Sequence, residues 1–248
     1  MNEFFYYGQG KVYLAARDAN GRPMAQRWVG DVSKMELALT VENATHKESY
    51  SGQRATVRRI TTGKEAKVTS TWHDFSPQNL ALQLYGDSAA IPPGTVTGEK
   101  LPADIKAGER YTLAHQNVTD VVIGSLVHGT DYVTDPVWGA IEFLKPQATA
   151  PSVNYRYAGG VNTTLFTRQP QEMFMRYEGI NLAEGGAAVV VELYKVLFDP
   201  TSALSLITSD QNMAGMETTA GVLFDGSRPD NALLGRFGRV INVAERSD

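Results

Sequence analysis

The sequence contains no cysteine, and this absence alone excludes several kinds of chemistry. The chain has no disulfide bonds, no cysteine nucleophile and no zinc site built on thiolates. Histidine is scarce as well: the four in 248 residues are His46, His73, His115 and His128. No two of them stand four residues apart, which is the spacing of a helical zinc-binding pair. We therefore expect no metal site.

Positive charge and long apolar runs are also lacking. Lys and Arg number 23 against 27 Asp and Glu, so the net charge is −4. Proteins that grip nucleic acid usually carry the opposite sign, because they neutralise phosphates. The most apolar run, 187–198, is interrupted by two charges and is shorter than the roughly 20 residues of a membrane-spanning helix. The first seven residues do not have the pattern of a secretory signal, which predicts a protein that stays in the cytoplasm.

No catalytic or cofactor-binding motif is present. Gly8-Gln9-Gly10 does not continue into a dinucleotide-binding fingerprint, and Gly124-Ser125 lacks the second glycine of a nucleophile elbow. Two carboxylates could in principle form a glycosidase site, but that reaction needs a fixed separation that the sequence does not reveal. A hydrolase is therefore the weakest functional alternative, and we expect no catalytic residue and no cofactor.

What the sequence does contain is alternation of apolar and polar residues with a period of two, which is typical of half-buried antiparallel strands. The pattern is clearest in 33–42 and returns in 64–72. Between them, 56–61 predicts a separate strand that ends in a turn at Thr62-Gly63. Further strands are predicted at 11–15, 26–32, 132–143 (a hairpin), 153–157, 172–180, 187–198, 216–224 and 236–244, and a helical turn at 199–206. The sequence predicts an all-β protein, a sandwich or barrel with one flanking helix.

The flanking helix is predicted after the strand 64–72. Ser76 is a plausible N-cap, a proline follows it, and Gly86 is a plausible stop. One face of this helix should cover the sheet. The side chains predicted to pack there are Leu80, Leu84 and Tyr85.

The composition changes after the helix, because 89–108 is rich in proline and glycine and is typical of a linker or long loop. Short strands follow up to about residue 157. We therefore expect one β domain formed by 1–91 and 161–248. An inserted β subdomain or extended loop is expected at 92–160.

One segment, 42–59, is longer than a usual hairpin loop and mixes both charge signs. Its residues of interest are Glu42, His46, Lys47, Glu48, Tyr50, Arg54, Arg58 and Arg59. One interpretation is a mobile polar loop. The other is an arm that docks on a neighbouring subunit, where the charges could pair across an interface.

The order of several segments resembles the tail tube (major tail) proteins of long-tailed bacteriophages. The matching segments are 28–33, 37–43, 46–52, 79–86, 176–179, 189–195 and 235–240. The resemblance covers roughly 10–90 and 160–243, and it lies in the order of the segments rather than in one short motif.

The resemblance implies a structural protein without enzymatic activity. Six copies would close into a ring, rings would stack into a tube in the virion tail, and the subunits would assemble in the cytoplasm of the bacterial host. The segment 42–59 would reach a neighbouring copy, and the insertion would lie on the outer wall. Other partners would be the tape measure, terminator and distal tail proteins.

In such a tube, DNA passes along a lumen without specific binding. A lumen that carries part of the negative charge would repel phosphates. The candidates to face the lumen are Glu36, Glu42, Glu65 and Glu178. Two alternatives stay open: a tube protein of a phage-derived injection machine, and a monomeric carbohydrate-binding β module with exposed aromatic residues.

Overall fold

The computed structural model describes residues 4–208 and 213–244, which form strands and one α-helix. The elements in chain order are β1 (Gly8–Arg17), β2 (Pro23–Trp28), β3 (Val32–Lys47), β4 (Thr56–Trp72), α1 (Pro77–Gln83), β5 (Ser88–Ile91), β6 (Gly94–Lys100), β7 (Arg110–Thr112), β8 (Val118–Ile123), β9 (Tyr132–Asp135), β10 (Ala140–Phe143), β11 (Ser152–Tyr157), β12 (Gly160–Thr163), β13 (Met173–Asn181), a 3₁₀ helix (Leu182–Glu184), β14 (Ala187–Phe198), β15 (Met216–Val222) and β16 (Gly238–Asn242). The predicted all-β class is confirmed.

The chain divides into two compact units. The larger unit comprises Met1–Asp87 and Thr163–Asp248, and the smaller unit comprises Ser88–Asn162. The sequence placed the insertion at 92–160. Where the chain leaves and re-enters the larger unit, the Thr164 amide donates to the carbonyl oxygen of Asp87, and the Asp87 amide donates to the Thr164 hydroxyl, both at 2.9 Å.

The larger unit is built on one antiparallel sheet of eight strands. Seven follow the order β2-β1-β13-β14-β15-β4-β3. The eighth, β16, pairs with β14 over Val189–Leu193, whereas β15 pairs with β14 over Val196–Phe198. The same edge of β14 therefore serves two different strands. The end strands of this sheet are β2 and β3, and among the described residues it does not close into a barrel.

One face of this sheet carries the principal core, and we call it the core face. Its largest member, Trp72, is 0% exposed and meets the Phe198 ring edge-on, with 5.6 Å between the ring centroids. The Trp72 Nε1 group donates to the Ser70 hydroxyl at 2.8 Å. Other members are Val12, Leu14, Val68, Met175, Leu193, Val196, Met216, Ala220 and Val222.

The second face, which we call the opposite face, is partly covered by the segment that follows β15. Arg17 and Asp225 form a buried ion pair at 2.7 Å that ties this segment to β1. The Tyr194 hydroxyl donates to the carbonyl oxygen of Leu234 at 2.9 Å, and the Arg228 guanidinium lies over the Tyr194 ring. These contacts fix the segment over the end of the sheet.

The helix α1 is present but shorter than predicted. It runs Pro77–Gln83 with Ser76 at the N-cap position, and Leu80 packs against the principal core. Leu84 caps its C-terminus and Tyr85 has a φ of 51°, so these two residues lie beyond the helix and do not extend its packing face.

A polar residue, which the sequence did not single out, anchors the helix. Asn79 is 0% exposed, its amide donates to the carbonyl oxygen of Val29 at 2.7 Å, and it accepts a hydrogen bond from Arg27 at 2.6 Å. Beyond the helix, the Tyr85 hydroxyl donates to the carbonyl oxygen of Phe198 at 2.6 Å. Hydrogen bonds therefore hold this region to the sheet alongside apolar packing.

Three sequence predictions are wrong. The expected turn at Thr62-Gly63 does not exist, because β4 runs unbroken over Thr56–Trp72 with a bulge at that position. The expected helical turn at 199–206 is not helical. The expected linker at 89–108 contains β5 and β6, since pairing with β12 and β11 overrides its proline and glycine content.

The smaller unit has its own core. Its sheets follow the orders β7-β10-β9, β6-β11-β8 and β12-β5. Its core contains Leu101, Ile105, Leu113, Val118, Ile123, Tyr132, Ile141, Phe143, Val153 and Tyr155. A separate core of this kind is what allows an inserted unit to be compact by itself.

Candidate functional site

The most unusual feature of the larger unit is a projecting hairpin arm. β3 and β4 pair from Val32 opposite Trp72 to Lys47 opposite Thr56, whereas β15 accompanies β4 only as far as Ala66. Residues 40–47 and 56–65 therefore pair only with each other, and 48–55 connect them. We call residues 40–65 the arm. The predicted long loop 42–59 is thus mostly β-structure, with a short tip at 48–55.

The arm is exposed on both of its faces. Val41 of the arm and Leu39, which directly precedes the arm, continue the core face and are 52% and 74% exposed. Glu42 lies on the opposite face across from Gly63, and the bulge between Glu42 and Asn43 shifts the register there. Large exposed aliphatic side chains next to an unpaired strand edge are a surface that a partner would cover.

The tip of the arm is ordered by one carboxylate. Glu48 is only 5% exposed. It accepts hydrogen bonds from the Ser51 hydroxyl at 2.5 Å and from the Tyr50 and Ser51 amides at 2.8 Å. The Ala55 amide donates to it at 3.3 Å. In the interpretation of 42–59 as a docking arm, Glu48 could pair with a neighbouring subunit; in the structure its carboxylate accepts hydrogen bonds from its own chain.

These hydrogen bonds, first from the Ser51 hydroxyl and then from the Ser51 amide, lower the pKa of Glu48 to about 2 from an ordinary 4.5. A depressed carboxyl pKa means that the order it supports is complete above pH 4.5 and is lost as the pH falls through about 2. In an NMR titration, the tip amides should therefore change with a midpoint at about pH 2.

Replacing Glu48 with Gln should disorder the tip without unfolding the chain, because Gln offers one acceptor where four donors converge. Hydrogen exchange of the Ser51 and Ala55 amides should become roughly tenfold faster. Glu65→Gln, an exposed carboxylate on the same arm, is the matched control and should change nothing at the tip. Unchanged exchange in Glu48→Gln would show that the carboxylate does not order the loop.

The cations predicted for the arm are all on its surface. His46 and Arg58 stand opposite each other, and Arg59 stands opposite Thr45, so Arg58 and Arg59 point to different faces. Of the residues singled out in 42–59, those with exposed side chains on the arm include five basic residues and one tyrosine: His46, Lys47, Arg54, Arg58, Arg59 and Tyr50. Within the described part of the chain, none of the four Lys and Arg side chains pairs with a carboxylate.

Three of the four predicted lumen-facing carboxylates lie on the same face of β3 and β4. Glu36, Glu42 and Glu65 all point to the opposite face, because Glu36 faces Thr69, Glu42 faces Gly63 and Glu65 faces Thr40. Their charges are partly balanced. Lys34 binds Glu36 at 3.2 Å, with both side chains exposed.

Glu178, on β13, lies on the same face further along the sheet. It faces Lys11 on β1 and accepts a hydrogen bond from Arg176 at 2.7 Å. Arg176 also binds Glu192, which Arg239 contacts from the other side at 2.7 Å. The opposite face therefore carries charges of both signs, interleaved with the four predicted carboxylates.

A groove of about 430 Å³ opens on the core face, and sequence reasoning missed it. One wall consists of the first residues of β3, including Met35 and Leu37, and the other of residues from β1, β13, β14 and β16. Val12, Val191 and Val240 make its floor and side largely apolar. Its lining includes Leu193, the last residue of β14 that pairs with β16 before β15 takes over at Val196.

Tyr6 and Tyr177 form the polar rim of this groove. The two hydroxyl groups are 3.3 Å apart, and the Tyr177 hydroxyl donates to the carbonyl oxygen of Gln9 at 3.1 Å. The Tyr177 ring lies against Gly10 and Gly179, where an added Cβ would meet it at 2.7 and 2.4 Å. Burial raises the pKa of Tyr177 above its ordinary value. In the sequence, the signal that could have indicated this packing is the pair Gly10 and Gly179, because only glycine leaves room for the Tyr177 ring.

A family model described as "Protein of unknown function UCP028589" matches residues 5–241 of the chain. The chain belongs to this family. The match spans both units, so the smaller unit is part of the family pattern. No curated protein matches the sequence.

Neither a metal cluster nor a spanning helix is seen in the parts of the chain that the structure describes. Across residues 4–208 and 213–244, His, Asp and Glu side chains do not converge in groups of three that could hold a metal ion. In the same ranges no helix has the length and apolar character needed to cross a membrane.

Proposed function

We propose that this protein is the structural subunit of a bacteriophage tail tube, which assembles into stacked rings and conducts DNA. The observation that carries the proposal is the arm, a long ordered hairpin whose two faces are largely exposed within the described part of the chain. A monomer gains nothing from such an element, whereas an assembly buries it. The resemblance in segment order points the same way.

The open strand edges support assembly. β2 and β3 end the main sheet, and among the described residues no strand pairs with the outer edge of β3, which is sixteen residues long. Exposed edges of this length promote uncontrolled aggregation unless a partner pairs with them. In a ring, the edge of one copy would meet the next copy, and closure of the ring would leave no free edge.

The mixed charges of the opposite face suit a conduit. A wall with many unpaired Lys and Arg residues would hold DNA by releasing its counterions. Here Arg176 and Arg239 are each bound to Glu192, and Lys34 is bound to Glu36. Glu42 and Glu65 add negative charge on the same face. Such a surface, turned toward a lumen, would let phosphates pass without specific binding.

Negative-stain electron microscopy of the purified chain at high concentration tests the proposal. We expect stacked rings with a central hole and, in analytical ultracentrifugation, a species far larger than 27.1 kDa. Particles that stay monomeric at millimolar concentration would contradict it and would favour the carbohydrate-binding module. Rings together with a contractile-sheath gene beside the coding sequence would favour the phage-derived injection machine.

Reversing the two adjacent cations of the arm, Arg58→Glu with Arg59→Glu, should block polymerisation and leave the fold intact. Both side chains are exposed, so the monomer loses no packing. In an interface, two reversed charges would face their former partners and repel them. Sedimentation and circular dichroism of the variant measure assembly and fold separately.

The matched control reverses two exposed cations of the smaller unit, Lys106→Glu with Arg156→Glu, and should still assemble. Wild-type levels of polymer in the Arg58 and Arg59 variant would remove these two residues from the interface. Loss of polymer in both variants would point instead to the net charge of the subunit.

A further inference from the structure

Tyr50 is an aromatic residue displayed at the tip of the arm. Its side chain is 85% exposed, although its own amide is held by Glu48 at 2.8 Å. The tip is therefore ordered before any partner binds. A pre-ordered loop loses little conformational entropy on binding, and an exposed tyrosine on such a loop has the properties of an interface anchor.

The groove on the core face has the properties of a receptor for such an anchor. Pockets of roughly 300–1,000 Å³ enclose small ligands, so about 430 Å³ gives room for one aromatic side chain and its flanking backbone. Val12, Val191 and Val240 offer apolar contacts, and the rim hydroxyl groups of Tyr6 and Tyr177 offer partners for a phenol. Of its lining residues only Lys34 is charged.

We propose that Tyr50 of one copy inserts into this groove on another copy of the chain. The inference rests on the proposed function, because it names the contact through which the arm would join subunits. It joins two features that the larger unit leaves uncovered.

The groove that receives Tyr50 belongs to a different copy for a geometric reason. Leu37 lies in the groove wall, and ten residues of extended strand separate it from Lys47 at the base of the tip. At roughly 3.3 Å per residue, the tip of a straight arm is about 30 Å from the groove of its own chain. The arm directs Tyr50 away from its own groove.

The symmetry of this contact fits an extended assembly. Each copy offers one tip and one groove on different parts of its surface, so a contact in which the tip of one copy enters the groove of the next is heterologous. Heterologous contacts generate rings when the rotation closes and open filaments when it does not. A self-complementary contact would stop at a dimer. This contact leaves a free tip and a free groove until a ring or stack is complete.

Tyr50→Ala should raise the critical concentration for assembly roughly 30-fold or more, the effect of removing an interface hot spot. Tyr50→Phe keeps the ring and should assemble nearly as the wild type does. Val240→Arg places a charge in the groove at a position 62% exposed, so it should block assembly without harming the fold. Trp138→Ala changes an aromatic residue of the smaller unit that is 66% exposed; it is the control and should assemble normally.

The absence of native cysteine allows a direct test of proximity. Ser49→Cys and Val240→Cys chains, prepared separately and mixed, should be joined by a short bis-maleimide into a heterodimer on a denaturing gel. Ser49→Cys mixed with Val122→Cys, exposed in the smaller unit, should not be joined.

The outcomes separate this inference from the proposed function. If wild type does not assemble at all, the tail tube function fails. If wild type and Tyr50→Ala assemble equally and no Ser49–Val240 product forms, the function stands and the tip binds elsewhere. Loss of assembly in Tyr50→Ala together with the cross-link confirms the contact.

Discussion

Replacing Trp72 with Ala is expected to lower the free energy of unfolding by about 3–5 kcal/mol, the usual cost of removing a buried tryptophan. Trp72 is 0% exposed at the centre of the principal core. The change removes the edge-on contact with Phe198 and the donor that binds the Ser70 hydroxyl. Urea denaturation followed by circular dichroism measures the loss.

The other two tryptophans provide controls within the same chain. Trp28 and Trp138 are 51% and 66% exposed, and their replacement with Ala should change stability by less than about 1 kcal/mol. A small effect at Trp72, comparable with that at Trp138, would mean that the principal core does not pack around this side chain.

Removing the arm is expected to abolish assembly and to leave the monomer folded. A suitable variant replaces 43–62 with Asn-Gly, so that Glu42 and Gly63, which already face each other, flank a two-residue hairpin turn. The deleted strands pair only with each other, so the sheet and its core lose no contact. Sedimentation velocity should show a single species near the monomer mass, at concentrations where the wild type forms polymer.

The thermal midpoint of the shortened chain separates two explanations of lost assembly. A midpoint close to that of the wild-type monomer would assign the loss to the arm itself. A midpoint that falls by more than about 10 °C would mean that the arm supports the fold. Tubes formed by the shortened chain would show that assembly uses other surfaces.

Sequence alone predicted those strands whose alternation is imposed by a core on one side. β14 begins and ends where the predicted strand 187–198 placed it. Alternate residues enter the principal core on each side of a register shift, Val191 with Leu193 before it and Val196 with Phe198 after it. The first half of β3 was predicted for the same reason. Alternation of apolar and polar residues arises when one face of a strand is buried, so it predicts strands reliably only where a core covers one face.

The continuous strands of the arm could not be predicted from alternation, because neither face of the arm is buried. Residues 43–47 have no apolar alternation, and Thr62-Gly63 has the composition of a turn. Whether Thr62-Gly63 forms a turn or a bulge depends on pairing with β3. In the structure Glu42 of β3 lies opposite Gly63, so β4 continues through this position. A bulge accommodates one extra residue without ending the strand. Local composition could not predict this outcome.

The candidate site divides in the same way. The segment 42–59 was identified from its length and charge, and those surface residues are on the arm. The groove depends on β1, β3, β13 and β16 meeting, which no local pattern encodes. The role of Glu48 depends on donors up to seven residues away that converge on one carboxylate. Leu80 packs against the core as predicted, but the fully buried Asn79 and Gln83 are polar, and the apolar pattern did not identify them.

The hydrogen bonds between Asp87 and Thr164 hold together the two chain segments that lead into and out of the smaller unit. The smaller unit could therefore be deleted or exchanged as a whole. Its two chain ends are already held together, so a bridge of a few glycines would close the gap at little entropic expense. Evolution by gene insertion favours junctions of this kind, since a foreign module can be spliced in or exchanged while the host scaffold keeps its own core. In the proposed assembly, the smaller unit would be exchangeable while the sheet and core of the larger unit stay the same.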